Sequence, residues 1–473
     1  MPINSFLYPG AKVTPAYEVA NSCRFNRGDS PKMSKTLGTP SDVDKWTFSA
    51  WVKLTDFGTD RFILSLYTDD NNETAINFEN GNSINFYNYI SGSYAGRLVP
   101  TQLLRDPAAW YHLVAVWDSG NGTAGNRMRL YLNGSEITSF ATDSNPNQDQ
   151  DSKNASGVTC VVGRAGTDDY NFGGYMAEVC FCDGQAYAAS DFGEFDSDSP
   201  TIWKPKDVSG LTFGNNGFYL DFEDSSNLGN DVNGGTDLTE ANLAATDSAT
   251  DTPTNNFCTL NPLILVINQD AVTFAEGNTR SDHDDSNGNQ ISWGTMMVNA
   301  GKWYWEVKVV DVGYTYIGVW QTQGAWTNPG VYDGLSGVNT YRGADGKTND
   351  ENVGVASYGN SYTDGDIISV AVNVDTGTIW FAKNGTWQNS ATEAEIEAGT
   401  TTNAAFTGKA YATNGIVPSI TGYSTTEYHV NFGNPPYANS SSNTDANGYG
   451  DFEYSVPDGF LALCTKNLGS DGG

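Results

Sequence analysis

Glu194 and Asp196 are the nearest approach in this chain to a pair of catalytic carboxylates. Glycoside hydrolases use two such groups, one as the nucleophile and one as the acid. The string EFDSD that contains both residues lacks the final glutamate of the E-x-D-x-x-E pattern and lies in a long acidic segment. The three histidines, His112, His283 and His429, are scattered, so the sequence gives no Ser-His-Asp grouping. We therefore expect no enzyme activity.

The segment DHDDSNG, which begins at Asp282, resembles a calcium-binding loop because acidic oxygens recur at alternate positions. Asp282 and Asp284 would be its first ligands. Its glycine falls one place late, and no bidentate glutamate follows at the expected distance. We expect no cofactor, with calcium at Asp282 and Asp284 as the alternative.

The loop AWTNPGVYDGLSGVNTYRG is the candidate ligand-binding loop, since it carries Trp326, Tyr332 and Tyr341 among Gly and Asn residues. Aromatic faces with neighbouring amides suit sugar rings and protein contacts equally. The alternative is that these three rings cap the core beneath them. A further tripeptide, Arg27-Gly28-Asp29, matches an integrin motif, but so short a string recurs by chance and a salt bridge in the loop is the expected role.

Two stretches far apart in the chain repeat one pattern that is typical of paired strands. Trp110 to Ile137 reads WYHLVAVWDSGNGTAGNRMRLYLNGSEI, and Ile368 to Trp387 reads ISVAVNVDTGTIWFAKNGTW. Each has an apolar run, a turn, a second apolar run and an Asn-Gly pair. Short apolar runs bounded by turn formers predict buried strands. Asn-Gly supplies the two positive φ angles that a tight hairpin requires, so two separate sandwiches are predicted.

The composition agrees with an all-β protein of more than one domain. A length of 473 residues exceeds what one hydrophobic core usually organises. The 52 Gly, 25 Tyr, 22 Phe and 12 Trp residues, without long helical periodicity, indicate many short strands and turns. The formal net charge of -32 has the sign opposite to that of proteins that follow phosphate backbones, so nucleic acid is not an expected partner.

The chain shows no sign of secretion or membrane insertion. Met1 to Ala20 has no basic start followed by an apolar core, so we expect no secretory signal peptide. The longest aliphatic run, Leu263 to Ile267, is too short to span a bilayer. Cys180 and Cys182 lie two apart on one predicted strand, where bridging is awkward. We expect all six cysteines to be free thiols in a reducing compartment.

Composition shifts divide the chain into five segments. They are an N-terminal arm (1–20), a first antiparallel sandwich (21–190), an acidic Ser/Asp/Gly-rich connector (191–262), a second antiparallel sandwich (263–433) and a C-terminal tail (434–473). Two short segments, FCTLNP at 257–262 and LCTKNL at 463–468, flank the second sandwich, and both place a Cys before a Thr. We expect these segments to pair as strands that close the second module, with Cys258 and Cys464 buried and reduced.

Two family resemblances follow from these motifs. The first sandwich, with TFSAWVKL, WYHLVAVWD, RLYLNGSEI and GGYMAEVCFCDGQAY, resembles the laminin-G-like, concanavalin A-like jelly-roll superfamily. The second, with GKWYWEVKVV, YIGVW, GDIISVAVNVDTGTIWFAKNG and YHVNFG, resembles a SPRY domain. The combination, with SFLYPG near the start and GFLALCTKNL near the end, resembles a class of virion structural proteins from marine tailed bacteriophages.

These resemblances imply a non-enzymatic virion surface subunit, such as a tail fibre, spike or head-decoration protein, that assembles in the bacterial cytoplasm. The implied partners are other virion proteins, bound through the arm, and a host cell-surface glycan or protein. A homo-oligomer is expected, and a trimer if the protein is a fibre or spike. Two alternatives stay open: a concanavalin-fold hydrolase that degrades host polysaccharide, and a cellular adhesion or scaffold protein.

Overall fold

Antiparallel β-sheets make up most of the protein, and the computed structural model describes residues 17–197, 199–263, 272–284, 289–321, 337–350 and 354–471. The all-β prediction is confirmed. No helix within these ranges has both the length and the apolar character needed to cross a membrane.

The first sandwich contains strands β1 to β18. In chain order they are β1 (Ser22–Phe25), β2 (Lys32–Thr36), β3 (Lys45–Leu54), β4 (Arg61–Asp69), β5 (Asn72–Phe78), β6 (Ile84–Ile90), β7 (Ser93–Pro100), β8 (Trp110–Asp118), β9 (Met128–Leu132), β10 (Ser135–Glu136), β11 (Phe140–Ser144), β12 (Thr159–Val162), β13 (Gly174–Asp183), β14 (Gly193–Phe195), β15 (Trp203–Pro205), β16 (Phe218–Leu220), β17 (Thr239–Ala241) and β18 (Ser248–Ala249). Sheet I has the order β10-β9-β8-β3-β13-β1-β18, and β16 also pairs with β13. Sheet II has the order β11-β7-β6-β5-β4-β12-β2-β17, while β14 and β15 form a separate pair.

The second sandwich contains the remaining strands and three short helices. They are β19 (Val272–Ala275), β20 (Arg280–His283), β21 (Asn289–Trp293), β22 (Lys302–Asp311), β23 (Tyr314–Gln321), β24 (Val338–Arg342), β25 (Lys347–Asp350), β26 (Gly354–Ser357), β27 (Ile367–Asn373), β28 (Thr378–Lys383), β29 (Thr386–Trp387), α1 (Glu393–Glu397), α2 (Tyr411–Asn414), β30 (Ile416–Tyr423), β31 (Thr426–Asn431), β32 (Leu461–Ala462) and α3 (Thr465–Asp471). Sheet III runs β19-β20-β31-β22-β27-β28-β29, with β32 parallel to β22. Sheet IV runs β21-β30-β23-β24-β25-β26.

Both repeated sequence patterns fold as the predicted hairpins. In the first, β8 pairs with β9, and Asn133 and Gly134 adopt φ angles of 47° and 78° before β10. In the second, β27 pairs with β28, and Asn384 and Gly385 adopt φ angles of 48° and 74° before β29. Both central residues of such a turn need positive φ, which explains why the same dipeptide recurs in two different domains.

The structure corrects the prediction of a separate connector over residues 191–262. Within this segment β16 pairs with β13, β17 with β2 and β18 with β1, so the segment extends both sheets of the first sandwich. These strands are only two or three residues long and pair with residues far away in the chain. These strands could not be predicted from the sequence, because their surroundings are polar and rich in turns and so short a strand has no periodic pattern.

The boundary of the predicted N-terminal arm also shifts. Residues 1–16 lie outside the described residues, but Tyr17 and Val19 pack on sheet I beside Trp51. The Tyr17 hydroxyl donates a hydrogen bond to Glu178 Oε2 over 2.9 Å. The first sandwich therefore includes Tyr17, which lies four residues before its predicted start at residue 21.

At the other end of the chain, the predicted pairing of the two Cys-Thr segments is present. Phe257 and Cys464 form an antiparallel bridge, and the Cys258 amide donates to the Leu463 carbonyl over 2.9 Å. Cys258 and Cys464 are buried free thiols, as are the other four cysteines. The tail thus closes the second sandwich through Leu461, whose strand β32 lies parallel to β22.

A buried ammonium group ties the first sandwich to the chain that leads into the second. Lys53, on β3, and Asp251 are both fully buried, and Lys53 Nζ lies 2.6 Å from Asp251 Oδ2. The same ammonium donates to Asn256 Oδ1 over 2.7 Å and to the Phe257 carbonyl over 3.3 Å. Trp110 Nε1 donates to the other Asp251 oxygen over 2.9 Å.

A second buried cation, Arg24 on β1, contacts both sandwiches. It donates to the carbonyls of Thr246 over 2.6 Å and Pro435 over 3.2 Å, and its Nε lies 3.2 Å from Glu276 Oε2. Next to it, the Tyr175 hydroxyl donates to the Gly277 carbonyl over 3.1 Å. The junction between the sandwiches is therefore polar, buried and specific.

We predict that Leu463→Ala lowers the free energy of unfolding of the second sandwich by about 2–5 kcal/mol, because Leu463 is fully buried and its truncation leaves a cavity. The matched control is Leu103→Ala, since Leu103 is 41% exposed and its change should stay within about 0.5 kcal/mol. Urea unfolding followed by tryptophan fluorescence measures both. Equal midpoints for the two variants would show that the tail does not stabilise the fold.

Candidate binding site

The two carboxylates considered for glycoside hydrolysis lie on the small β14–β15 pair, where one lysine holds them. Lys204 Nζ lies 3.5 Å from Glu194 Oε1 and 3.3 Å from Asp196 Oδ2. The Glu194 side chain is 56% exposed. Both carboxylates are therefore held by one ammonium group at the protein surface.

The structure brings together one serine and one histidine that the sequence did not connect. Ser49 Oγ lies 2.8 Å from His112 Nε2 on adjacent strands of sheet I. Trp203 Nε1 lies 3.0 Å from His112 Nδ1, and an indole N–H can only donate. Nδ1 therefore carries no proton, and Nε2–H donates to the serine. In this tautomer the imidazole cannot accept the Ser49 proton, so the pair is not arranged as a nucleophile and base.

The Ser49–His112 pair is also buried, which indicates a structural role. His112 is 1% exposed, its ring stacks on Trp51 with centroids 4.7 Å apart, and burial lowers its pKa to about 3. The imidazole therefore stays neutral at physiological pH. The segment around Trp203 covers this outer face of sheet I, which leaves no room for a substrate over Ser49.

Glu178 is a second buried polar group on the outer face of sheet I. It lies at a bulge in β13 with a φ angle of 52°, and its carboxyl accepts hydrogen bonds from Tyr17 over 2.9 Å and from Tyr219 over 2.7 Å. Burial raises the pKa of Glu178 from 4.5 to about 7, against the lowering effect of these two hydroxyls. The group anchors the start of the chain to the sandwich.

The calcium candidates do not form a metal site within the described part of the chain. Asp282 Oδ1 accepts a hydrogen bond from Arg280 Nε over 3.0 Å, and Arg280 also lies 3.2 Å from Glu427. Asp284 is exposed, and the rest of the predicted loop lies outside the described residues. Among the described residues, no group of three or more His, Cys, Asp or Glu side chains could hold a metal ion.

The aromatic ligand-binding candidates have different outcomes. Trp326 and Tyr332 lie outside the described residues. Tyr341 is fully buried, and its ring packs on Phe381 and Tyr362 with centroids 5.3 and 5.2 Å away. Its hydroxyl donates to the Asn360 carbonyl. Tyr341 is therefore a core residue and is not available to a ligand, which corrects its assignment as a binding residue.

A cleft of about 700 Å³ opens between the two sandwiches. On one side it is lined by the end of β1, the turn that follows it and the turn after β3, and on the other by β19, β20 and the turn between them. The described side chains most important for its character are Arg27, Asp56, Phe57, Phe274, Glu276 and Arg280. We call this opening the junction cleft.

Ion pairs and hydrogen bonds hold the walls of the junction cleft. Arg27 Nη1 lies 2.7 Å from Asp56 Oδ2, which confirms the salt bridge expected for the Arg-Gly-Asp turn. Asn26 spans the cleft, since its Nδ2 donates to Asp29 over 2.9 Å and to Glu276 over 2.8 Å. Burial raises the pKa of Glu276. Sequence reasoning missed the cleft because its two walls are about 250 positions apart in the chain, as in the Asn26–Glu276 contact.

The architecture agrees with two family matches. Residues 31–188 match the model of the concanavalin A-like lectin/glucanases superfamily, and residues 302–434 match the SPRY domain. The chain therefore carries a concanavalin A-like domain followed by a SPRY domain, as the two resemblances predicted. A search of curated proteins found no match.

Solved structures similar to parts of the chain include three from different organisms. The SPRY domain of human HERC1 is 18% identical, with a TM-score of 0.28, over 36% of this chain and 96% of that chain. A SAP-like pentraxin from Limulus polyphemus is 18% identical, with a TM-score of 0.28, over 37% and 80%. A putative carbohydrate binding protein from Bacteroides ovatus is 13% identical, with a TM-score of 0.29, over 44% and 53%.

We predict that Glu178→Gln changes how stability depends on pH. A carboxyl whose pKa rises on folding stabilises the fold below its unfolded value of 4.5 and loses that contribution as the pH passes about 7. Relative to the variant, the wild type should therefore lose up to about 3 kcal/mol between pH 5 and pH 8. Urea unfolding at a series of pH values measures this difference. Parallel profiles for wild type and Glu178→Gln would contradict the prediction.

Proposed function

We propose that this protein is a non-enzymatic adhesion subunit of a bacteriophage virion, with a tail fibre, spike or head-decoration role. Its task is to bind a glycan or protein on the host surface. The junction cleft is the observation that carries the binding part of this proposal. It offers aromatic, amide and charged groups in one opening, while its carboxylates at Asp56 and Asp282 are engaged by arginines.

The fixed junction favours binding in the cleft. Arg24 contacts Glu276 of the second sandwich, and Lys53 contacts Asp251 in the segment that leads into that sandwich. Both contacts are buried, so the two walls of the cleft are positioned before a ligand arrives. A preformed site spends less free energy on ordering its own side chains when it binds. Concave sites with a few placed polar groups are also the usual form of a ligand site.

The virion assignment has separate support. The pairing of a concanavalin A-like and a SPRY domain resembles marine phage structural proteins, and six buried free thiols suit assembly in a reducing bacterial cytoplasm. The proposed partners are other virion proteins, bound through residues 1–16, and the host surface. Nucleic acid is not part of the proposal, because the net charge is -32, and membrane insertion is not part of it either. The proposal also includes homo-oligomerisation on the particle, as a trimer if the protein is a fibre or spike.

We predict that the purified protein binds host cells and that Gly28→Trp weakens this binding severalfold. Gly28 lines the cleft in the middle of a three-residue 3-10 turn. A side chain added there would point into open space, and the φ angle of Gly28 is not in the left-handed region. Gly125→Trp is a matched control, because Gly125 has the same setting in another 3-10 turn away from the cleft. Fluorescent protein binding to host cells measures both. Equal binding by the two variants would exclude the cleft as the adhesion site.

We also predict that the bound host polysaccharide is not cleaved. The measurement is the release of reducing ends from host envelope polysaccharide during prolonged incubation with the purified protein. No release above a heat-denatured sample is expected. Release that Glu194→Gln or Asp196→Asn abolishes would establish the hydrolase alternative instead.

For the assembly role, we predict that deletion of residues 1–16 prevents incorporation into particles while leaving thermal unfolding of both sandwiches nearly unchanged. Tyr17 and Val19 must be kept, because they pack on sheet I. Mass spectrometry of purified virions measures incorporation. Normal incorporation of the truncated protein would refute anchoring through this arm, and absence of the full-length protein from virions would refute the virion role.

A further inference from the structure

The buried end of the Lys53 side chain meets two groups with which an amine can react. Lys53 Nζ lies 2.6 Å from Asp251 Oδ2 and 2.7 Å from Asn256 Oδ1. Among the residues that the structure describes, Lys53 is the only buried lysine. An amine, a carboxyl group and a carboxamide therefore meet away from bulk water. They are the nucleophile, the proton carrier and the electrophile that formation of an amide bond requires.

Aromatic side chains surround this group. The centre of the Tyr175 ring lies 5.7 Å from Lys53 Nζ, and the Trp110 and Tyr175 rings are 6.3 Å apart. Trp110 Nε1 donates to Asp251 Oδ1 over 2.9 Å, so the carboxyl group is held in one orientation. Lys53 and Asp251 are both fully buried. A proton that leaves Lys53 can therefore pass directly to Asp251.

The carboxamide of Asn256 is held beside the amine at both of its ends. Its Nδ2 donates to the Ala108 carbonyl over 2.6 Å, and the backbone amide of Asn256 donates to Thr465 Oγ1 over 3.0 Å. Because a C=O bond is about 1.2 Å long, Lys53 Nζ lies within about 4 Å of Asn256 Cγ. A shift of at most about 1 Å brings these two atoms to the separation of about 3–3.5 Å from which a bond can form.

We propose that Lys53 and Asn256 join in an intramolecular isopeptide bond. Lys53 Nζ passes one proton to Asp251, and its free electron pair attacks Asn256 Cγ. The bond from Nζ to Cγ forms, and the bond from Cγ to Nδ2 breaks. Through Asp251, Nζ loses two protons in total and Nδ2 gains two, so the leaving group is an ammonium ion and Asp251 ends as a carboxylate. The reaction needs no oxidant, cofactor or second molecule.

The bond links two parts of the chain that are 203 residues apart. Lys53 lies on β3 inside sheet I, and Asn256 lies in the segment that leads into the second sandwich. Tension applied to the two ends of the chain then passes through the crosslink, and residues 54–255 do not carry it. The proposal concerns the domain junction itself and does not depend on adhesion or on the virion assignment.

Mass spectrometry of the denatured full-length protein tests the bond. The intact mass should be about 17 Da below the sequence mass, which is the loss of one ammonia. Trypsin should fail to cut after Lys53, so that residues 46–61 stay in one piece and are linked to a second peptide that contains Asn256. Cyclisation at an Asn-Gly pair also releases ammonia but gives no linked peptide, so the peptide map separates the two reactions.

The variant Asn256→Ala should regain the full sequence mass and the cut after Lys53. On a denaturing gel it should migrate more slowly than the wild type, whose crosslink closes a large loop. Asn255→Ala is the matched control, because Asn255 is the preceding residue and its side chain accepts from the Lys466 amide over 3.3 Å. The control should keep the linked peptide. Cooperative thermal unfolding checks that each variant is folded.

Two results on the wild-type protein would overturn the proposal, and neither depends on the folding of a variant. One is complete cleavage after Lys53 together with an unlinked peptide that contains Asn256. The other is a link from Lys53 to Asp251 with a loss of about 18 Da, the mass of water, which would assign the electrophile to the carboxyl group instead.

Discussion

The buried ion pair between Lys53 and Asp251 is the interaction on which the arrangement of the two domains depends. An ammonium group has three donors, and here all three have acceptors, at Asp251, Asn256 and the Phe257 carbonyl. Burying a charge is costly unless it is fully compensated, so any movement of the segment away from β3 leaves a bare cation in the interior. Loss of one partner of such a pair typically costs about 3–5 kcal/mol. These contacts therefore hold the segment from Asp251 to Phe257 on β3, beside the junction cleft.

The parts of the fold that could be predicted are those whose sequence signal lies within a short stretch of the chain. The two hairpins were predictable because an Asn-Gly pair and two apolar runs lie within one short window, and the turn allows few other geometries. The segment 191–262 was not, because β16, β17 and β18 gain their stability from β13, β2 and β1. Strands of two or three residues carry no pattern of their own, so tertiary pairing decided their structure.

The binding surfaces divide in the same way. The junction cleft joins Asn26 to Glu276, and nothing local in either segment indicates the other. The prediction for Tyr341 was wrong for a related reason. Its glycine-rich surroundings suggested an exposed loop residue, but Tyr341 lies in strand β24. Strand β6 of sheet II had a detectable signal. In INFYNYI, Asn85, Tyr87 and Tyr89 alternate with Ile84, Phe86 and Asn88, and this period of two places both tyrosines on the outer face of the strand.

The outer faces of the two sheets of the first sandwich are covered to different extents. The outer face of sheet I is covered by residues around Trp203 and by Tyr17, and it holds polar groups, such as His112 and Glu178, whose pKa values burial shifts toward their neutral forms. Both groups are buried and make hydrogen bonds that hold neighbouring segments on this face. Sheet II keeps Tyr94 in solvent with its supporting contacts complete. The covered face of sheet I holds Tyr17, and on the outer face of sheet II Ser65, Ala75 and Asn77 are buried while Tyr94 is exposed.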